Sequence, residues 1–125
     1  MKELRKIDCI MYFVQDLDKA EKFYTEELGL KRVWRDDEYH MIGFVFPESD
    51  SEIVIHRDES LRNPDFSFLV DNVEDYCNSF KAKGYKILFG PIEVRPGKYA
   101  VLSDPDGNGI PIIDLTKFGG LPQYD

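Results

Sequence analysis

The sequence predicts an α+β fold: two tandem βαβββ modules forming a curved, mostly antiparallel eight-stranded cup, with a helix backing each module. Three observations predict it. Strand-like apolar runs and an amphipathic helical stretch follow one another in the same order twice. The strand end and helix cap Val14-Gln15-Asp16-Leu17, with a stop at Gly29, recur as Val70-Asp71-Asn72-Val73 with a stop at Gly84. No linker long enough to separate independent domains lies between them, so two small sheets would bury their remaining faces and edges by associating side by side.

In the first module, Ile7 to Val14 (IDCIMYFV) has the β-branched and aromatic density of a strand buried on both faces. Asp16 is placed to cap a helix whose apolar positions are Leu17, Ala20, Phe23, Tyr24 and Leu28, with Gly29 at its end. KRVWRD, EYHMIGFVF and SEIVIHRD follow as strands, the last entered through the turn cluster at 47–51. Within the first strand, Met11 and Phe13 share the face of Cys9, whereas Ile10, Tyr12 and Val14 pack on the helix.

The second module opens with the strand FSFLV, and Asp71 or Asn72 caps a helix carrying Val73, Tyr76, Cys77 and Phe80. YKILF, KYAVLS and IPIIDL are its further strands, separated by turn signals at Pro91, at Pro96-Gly97 and at Asp104-Pro105-Asp106-Gly107-Asn108-Gly109. The segment from Asp104 to Asn108 is a turn and not a calcium loop, because no helices flank it and no glutamate closes it. The modules run over about 5–58 and 64–116 of a single domain, and the glycine-rich end, 117–125, reads as a tail lying across a neighbour.

With 125 residues, 42% of them apolar and 14% aromatic, the chain is sized for one core. Charged residues make up 32% and no apolar run approaches membrane-spanning length, which argues against both a disordered and a membrane protein. Sixteen Lys and Arg against twenty-four Asp and Glu leave a net charge of −8, a surface that repels nucleic acid. The N-terminal run is broken by Asp8 and does not read as a signal peptide. Cys9 and Cys77 belong to no CxxC or Cys/His cluster, so a reducing, cytoplasmic setting is expected.

DLDKAEKFYTEELGL (16–30) and LSDPDGNGIPIIDL (102–115), together with the paired βαβββ order, resemble the vicinal oxygen chelate superfamily, which includes glyoxalase I, extradiol dioxygenases and bleomycin-resistance binding proteins. The resemblance covers nearly the whole chain and implies a cup that is often completed in a homodimer. In metal-dependent members it implies four inward ligands, usually His and Glu. Carried onto this chain, those positions fall on Cys9, Val54, Asp65 and Pro111. Valine and proline side chains offer a metal nothing, and two remaining groups do not make a three-ligand site. An improvised cluster of Cys9, Glu52, His56 and Asp65 is the alternative, but Glu52 and His56 lie about 13 Å apart at the strand rise.

Of the individual residues, Cys9 reads as an inert small hydrophobe among Ile, Met and Phe. His56 and His40, the two histidines, read as solvated or hydrogen-bonded, with His56 the better candidate for proton transfer because its side of the strand faces the cup. Trp34 either stacks on a ligand or packs. The turn Arg95-Pro96-Gly97-Lys98 either grips an anion or faces solvent.

The resulting expectation is a metal-free small-molecule-binding protein holding an aromatic or amphipathic ligand against Cys9, Met11, Phe13, Trp34, Val54, His56, Asp65 and Pro111. No cofactor is expected, and a homodimer is. The alternative is a lyase, isomerase or dioxygenase of the same superfamily, using either a divalent metal (Zn, Mn, Fe or Ni) on altered ligands or His56 alone.

Overall fold

A computed structural model describes residues 3–61, 65–107 and 109–124. Asn108, and Pro64 at the start of the second module, lie outside the described residues. The fold is α+β, and the described residues form eight strands and two α-helices in two βαβββ modules, β1 (Lys6–Phe13), α1 (Leu17–Lys22), β2 (Lys31–Asp36), β3 (Met41–Val45) and β4 (Glu52–His56), then β5 (Asp65–Leu69), α2 (Val73–Ala82), β6 (Ile87–Glu93), β7 (Lys98–Ser103) and β8 (Gly109–Ile113). The chain forms two compact units, built principally on Cys9–Phe66 and Ser67–Pro122.

In the first unit the strands run in the order β2-β3-β4-β1. The helix crossover lets β1 lie parallel to β4, while the β2-β3-β4 meander pairs antiparallel. Asp16 accepts a hydrogen bond from the Lys19 amide at 3.0 Å and so caps α1. Leu17, Ala20 and Tyr24 pack on Ile42, Phe44, Ile55 and Leu30, with Val14 and Ile53 at the margin. Phe23 and Leu28, expected on this apolar side, are instead 49% and 52% exposed. For Leu28 the reason is a change of helical pitch: Phe23–Glu27 is a π-helical turn, closed by Leu28 N–H donating to the Phe23 carbonyl at 3.2 Å. The extra residue per turn rotates Leu28 off the core stripe, whereas Phe23, the first residue of the turn, already points away from Leu17, Ala20 and Tyr24 at ordinary helical spacing. Gly29 then ends the helix at φ 72°.

In the second unit the order is β5-β8-β7-β6, again with one parallel pair, β5 with β8. Asn72 caps α2 by accepting from the Asp75 amide at 3.0 Å. Val73 and Cys77 of α2 pack with Val70, Ala100, Leu102 and Ile112, and Tyr76 and Phe80 lean on the same cluster. Pro91, expected between strands, is inside β6. That strand is the edge of its unit and shifts register between Phe89 and Ile92, so the missing proline N–H breaks no regular ladder.

Thr116–Phe118 is a short 3-10 turn, and Lys117 bonds to its own unit through its amide to the Pro96 carbonyl (2.9 Å) and its ammonium to the Val94 carbonyl (2.7 Å). The 95–98 turn is not a free anion grip. Lys98 is paired with Glu74 at 2.9 Å, and the Arg95 guanidinium lies over the Phe118 ring at 5.1 Å.

Candidate functional site

The face of the first unit that carries no helix holds the candidate residues. Register sets them in three rows across the sheet. Val45, Glu52 and Cys9 make one; Trp34, Gly43, Val54 and Met11 the second; Asp36, Met41, His56 and Phe13 the third. Strand alternation therefore brings Cys9, Met11, Phe13, Val54 and His56 to one surface, as their spacing implied. A bulge between Arg32 and Trp34 puts Val33 and Trp34 into the same apolar cluster as Cys9 and Val54, with Met11, Met41 and Val45 packed against it. Asp65 begins β5 and acts electrostatically on His56. Pro111 belongs to the second unit, where it pairs with Val101.

Trp34 is 6% exposed. Its ring lies across Gly43, where a Cβ would collide with the indole, and its N–H donates to Glu52 Oε1 at 2.7 Å. It is thus a fixed part of the wall, not a free platform for stacking. The signal that sequence reasoning passed over is Gly43 itself. A glycine inside the apolar strand MIGFV marks a close approach to the backbone.

His56, expected to be solvated or hydrogen-bonded, is hydrogen-bonded but not solvated. It is 1% exposed, and its Nδ1 accepts from the Asp58 amide at 3.0 Å. Because Nδ1 is the acceptor, the proton of the neutral ring sits on Nε2. Nε2 is buried and has no hydrogen-bond partner among the described residues. The Leu61 carbonyl is near enough to favour the imidazolium, yet does not reach Nε2 in hydrogen-bonding geometry. Desolvation pulls the His56 pKa below its usual value, against the weaker pull of the Asp58 and Asp65 carboxylates. The Phe13 ring stands edge-on to the imidazole at 6.1 Å. His40, by contrast, is exposed in the β2–β3 turn at φ 57°.

The donor set does not suit the metal that the family resemblance implies. Val54 and Pro111 have no donor atoms, Glu52 already accepts the indole N–H, and His56 sits at the opposite end of β4. Among the described residues no three His, Cys, Asp or Glu side chains are grouped so as to hold a metal ion. Cys9 and Cys77 are both buried, and neither forms a disulfide among the described residues. Among the described residues no helix is long and apolar enough to cross a membrane.

A family model described as Glyoxalase/Bleomycin resistance protein/Dioxygenase superfamily matches residues 6–112. A protein of Arabidopsis thaliana named as a probable chloroplastic lactoylglutathione lyase is 31% identical over 134 aligned positions, 95% of this chain. The chain spans only 37% of that relative's length. Methylmalonyl-CoA epimerase from Mycobacterium tuberculosis is 20% identical with a TM-score of 0.61, over 87% of this chain and 85% of its own. An uncharacterized protein from Methanosarcina mazei is 23% identical with a TM-score of 0.60, over 98% and 99%. The two solved structures share the fold, and the family match, which runs from β1 into β8, shows the lineage. This chain belongs to the glyoxalase/bleomycin resistance protein/dioxygenase superfamily.

Proposed function

We propose that this member of the superfamily binds a small aromatic or amphipathic molecule against the helix-free face of its first module and does so without a resident metal. One observation carries the reading: the side chains at the implied ligand positions, Cys9, Val54, Asp65 and Pro111, include two with no donor atom, and the neighbouring Glu52 is engaged by Trp34. Against such a wall, the half-buried side chains of Met11, Phe13 and Met41 offer apolar area to a ligand. As in other members of this fold, a homodimer is the assembly proposed. Two buried cysteines outside any disulfide suit a reducing compartment such as the cytoplasm.

The relatives named as a lyase and an epimerase favour a second reading, catalysis, for which His56 is this chain's candidate residue. The hydrogen bonding of the imidazole weighs against it as a base: with Nδ1 held by the Asp58 amide, Nε2 already carries a proton and has no lone pair with which to accept another.

Untagged protein offered Zn, Mn, Fe, Ni and Co, then desalted and analysed for metals, tests the reading. Retention well below one metal per chain is expected. Near-stoichiometric retention overturns the metal-free reading. In parallel, a thermal-shift screen of aromatic compounds, glycopeptide antibiotics included, should find stabilising ligands. No stabilisation and no change in Trp34 emission with any of them would remove the binding reading.

A further inference from the structure

A buried hydrogen-bond donor without a partner costs about 1–3 kcal/mol, so native proteins rarely leave one unused. Among the described residues His56 Nε2 is such an atom, with no acceptor in hydrogen-bonding geometry, at the end of β4 away from the satisfied pair Trp34–Glu52. Its strand neighbours in register are Met41 on β3 and Phe13 on β1, both half-buried and apolar. Between these two apolar flanks stands a single donor, the His56 Nε2–H.

Charge narrows what that donor would meet. Asp58 and Asp65 act on the imidazole from the loop after β4 and from the start of β5, and the whole chain carries a net charge of −8. A carboxylate or phosphate approaching His56 meets like charge, and a neutral imidazole returns no countercharge. An ammonium meets an N–H pointed at it. An uncharged acceptor oxygen meets neither penalty.

Building on the small-molecule reading above, we propose that the ligands of this chain are uncharged aromatic carbonyl compounds, seated between Phe13 and Met41 with their oxygen accepting the Nε2–H of His56. The Asp58 amide is then a positioning group. It holds the tautomer that presents the proton at Nε2.

Three single-ring probes of closely similar size separate the possibilities: acetophenone, ethylbenzene and benzoate, titrated at pH 7.5 into the full chain labelled with nitrogen-15, following backbone amides and the imidazole nitrogens. Acetophenone should shift the amides of Phe13, Met41 and His56, move the Nε2–H resonance, and bind about tenfold tighter than ethylbenzene, the equivalent of one hydrogen bond. Benzoate should bind more weakly than acetophenone. His56→Asn keeps an acceptor where Nδ1 lies and removes the Nε2 donor, so this variant should bind acetophenone and ethylbenzene alike.

Equal binding of acetophenone and ethylbenzene by the wild-type chain would overturn the carbonyl anchor while leaving the binding face standing. Benzoate binding tightest would overturn the uncharged class. An Nε2–H that stays protected and unshifted while acetophenone binds would make His56 a structural residue, bonded to the Leu61 carbonyl, and end the proposal. Failure of all three probes to shift the face would count against both this inference and the function it rests on.

Discussion

The indole N–H of Trp34 on β2 donates to the Glu52 carboxylate on β4 across the intervening strand, at 2.7 Å, with the ring laid over Gly43. Three strands are tied together by one buried aromatic side chain. A charge-assisted bond of this kind is among the stronger single contacts available, and its loss leaves a desolvated indole N–H. Glu52→Ala should therefore lower the free energy of unfolding by about 1–3 kcal/mol, whereas Glu52→Gln, which keeps an acceptor oxygen, should cost less than about 1 kcal/mol. Urea titration followed through Trp34, the one tryptophan of the chain, measures both. Equal costs would show that the acceptor is not what matters.

Gly43 is the floor beneath the indole. A methyl group there overlaps the ring, so Gly43→Ala must lift Trp34 or bend β3, at a cost of about 1–3 kcal/mol for an overpacked site. The distinguishing readout is emission. Lifting the ring exposes the indole and shifts its fluorescence to the red, whereas an unchanged spectrum would mean that the strand yields instead.

In the second unit a single buried carboxylate organises three segments. Asp114, just after β8, accepts from the Val73 amide at the start of α2 (2.7 Å), the Lys98 amide at the start of β7 (3.0 Å), and the amide and hydroxyl of Thr116. Asp114→Ala would orphan donors in all three, each at about 1–3 kcal/mol, so a loss above about 3 kcal/mol is expected. Gly97→Ala, whose methyl would strike Asp114 Oδ1, should cause a smaller loss of the same kind. Hydrogen exchange should report it first at the Val73 amide. Protection there that survives Asp114→Ala would refute the latch.

What the sequence revealed and what it concealed follows from how far apart the interacting residues lie. Caps at Asp16 and Asn72 and stops at Gly29 and Gly84 are local chemistry, written within a few residues, and the structure places each where its neighbours demand. Alternation in Cys9-Ile10-Met11-Tyr12-Phe13 was equally local, and so the helix-free face of β1 was legible. The π-helical turn at Phe23–Glu27 left no such mark: within it Tyr24 stacks on Phe44 of a different element, with ring centroids 5.5 Å apart, a contact between residues far apart in the chain. Trp34–Glu52 and Val73–Asp114 are separated by 18 and 41 positions, and only the folded sheet shows them to be partners. The burial of His56 is of the same kind. A histidine at a strand end reads as wet until the strands on both sides are placed.

That burial has a consequence for pH. Desolvation holds the folded-state pKa of His56 below 6.5, its value when exposed, and the opposing influence of Asp58 and Asp65 is smaller. Between the two values the unfolded chain binds more protons than the folded one, so stability rises with pH across that window. The contribution is fully present above pH 6.5 and is lost as pH falls toward the folded value. Protonation would also place a cation beside Phe13 and remove the acceptor that the Asp58 amide uses, since Nδ1 would then carry a proton of its own. Denaturation midpoints measured from pH 8 down to pH 5 should therefore fall faster for the wild-type chain than for His56→Asn, which has nothing to titrate there. Carboxylates elsewhere contribute to both chains alike and cancel in the difference. Parallel curves would mean that the folded imidazole takes up its proton as readily as an exposed one, and would refute the desolvation of His56.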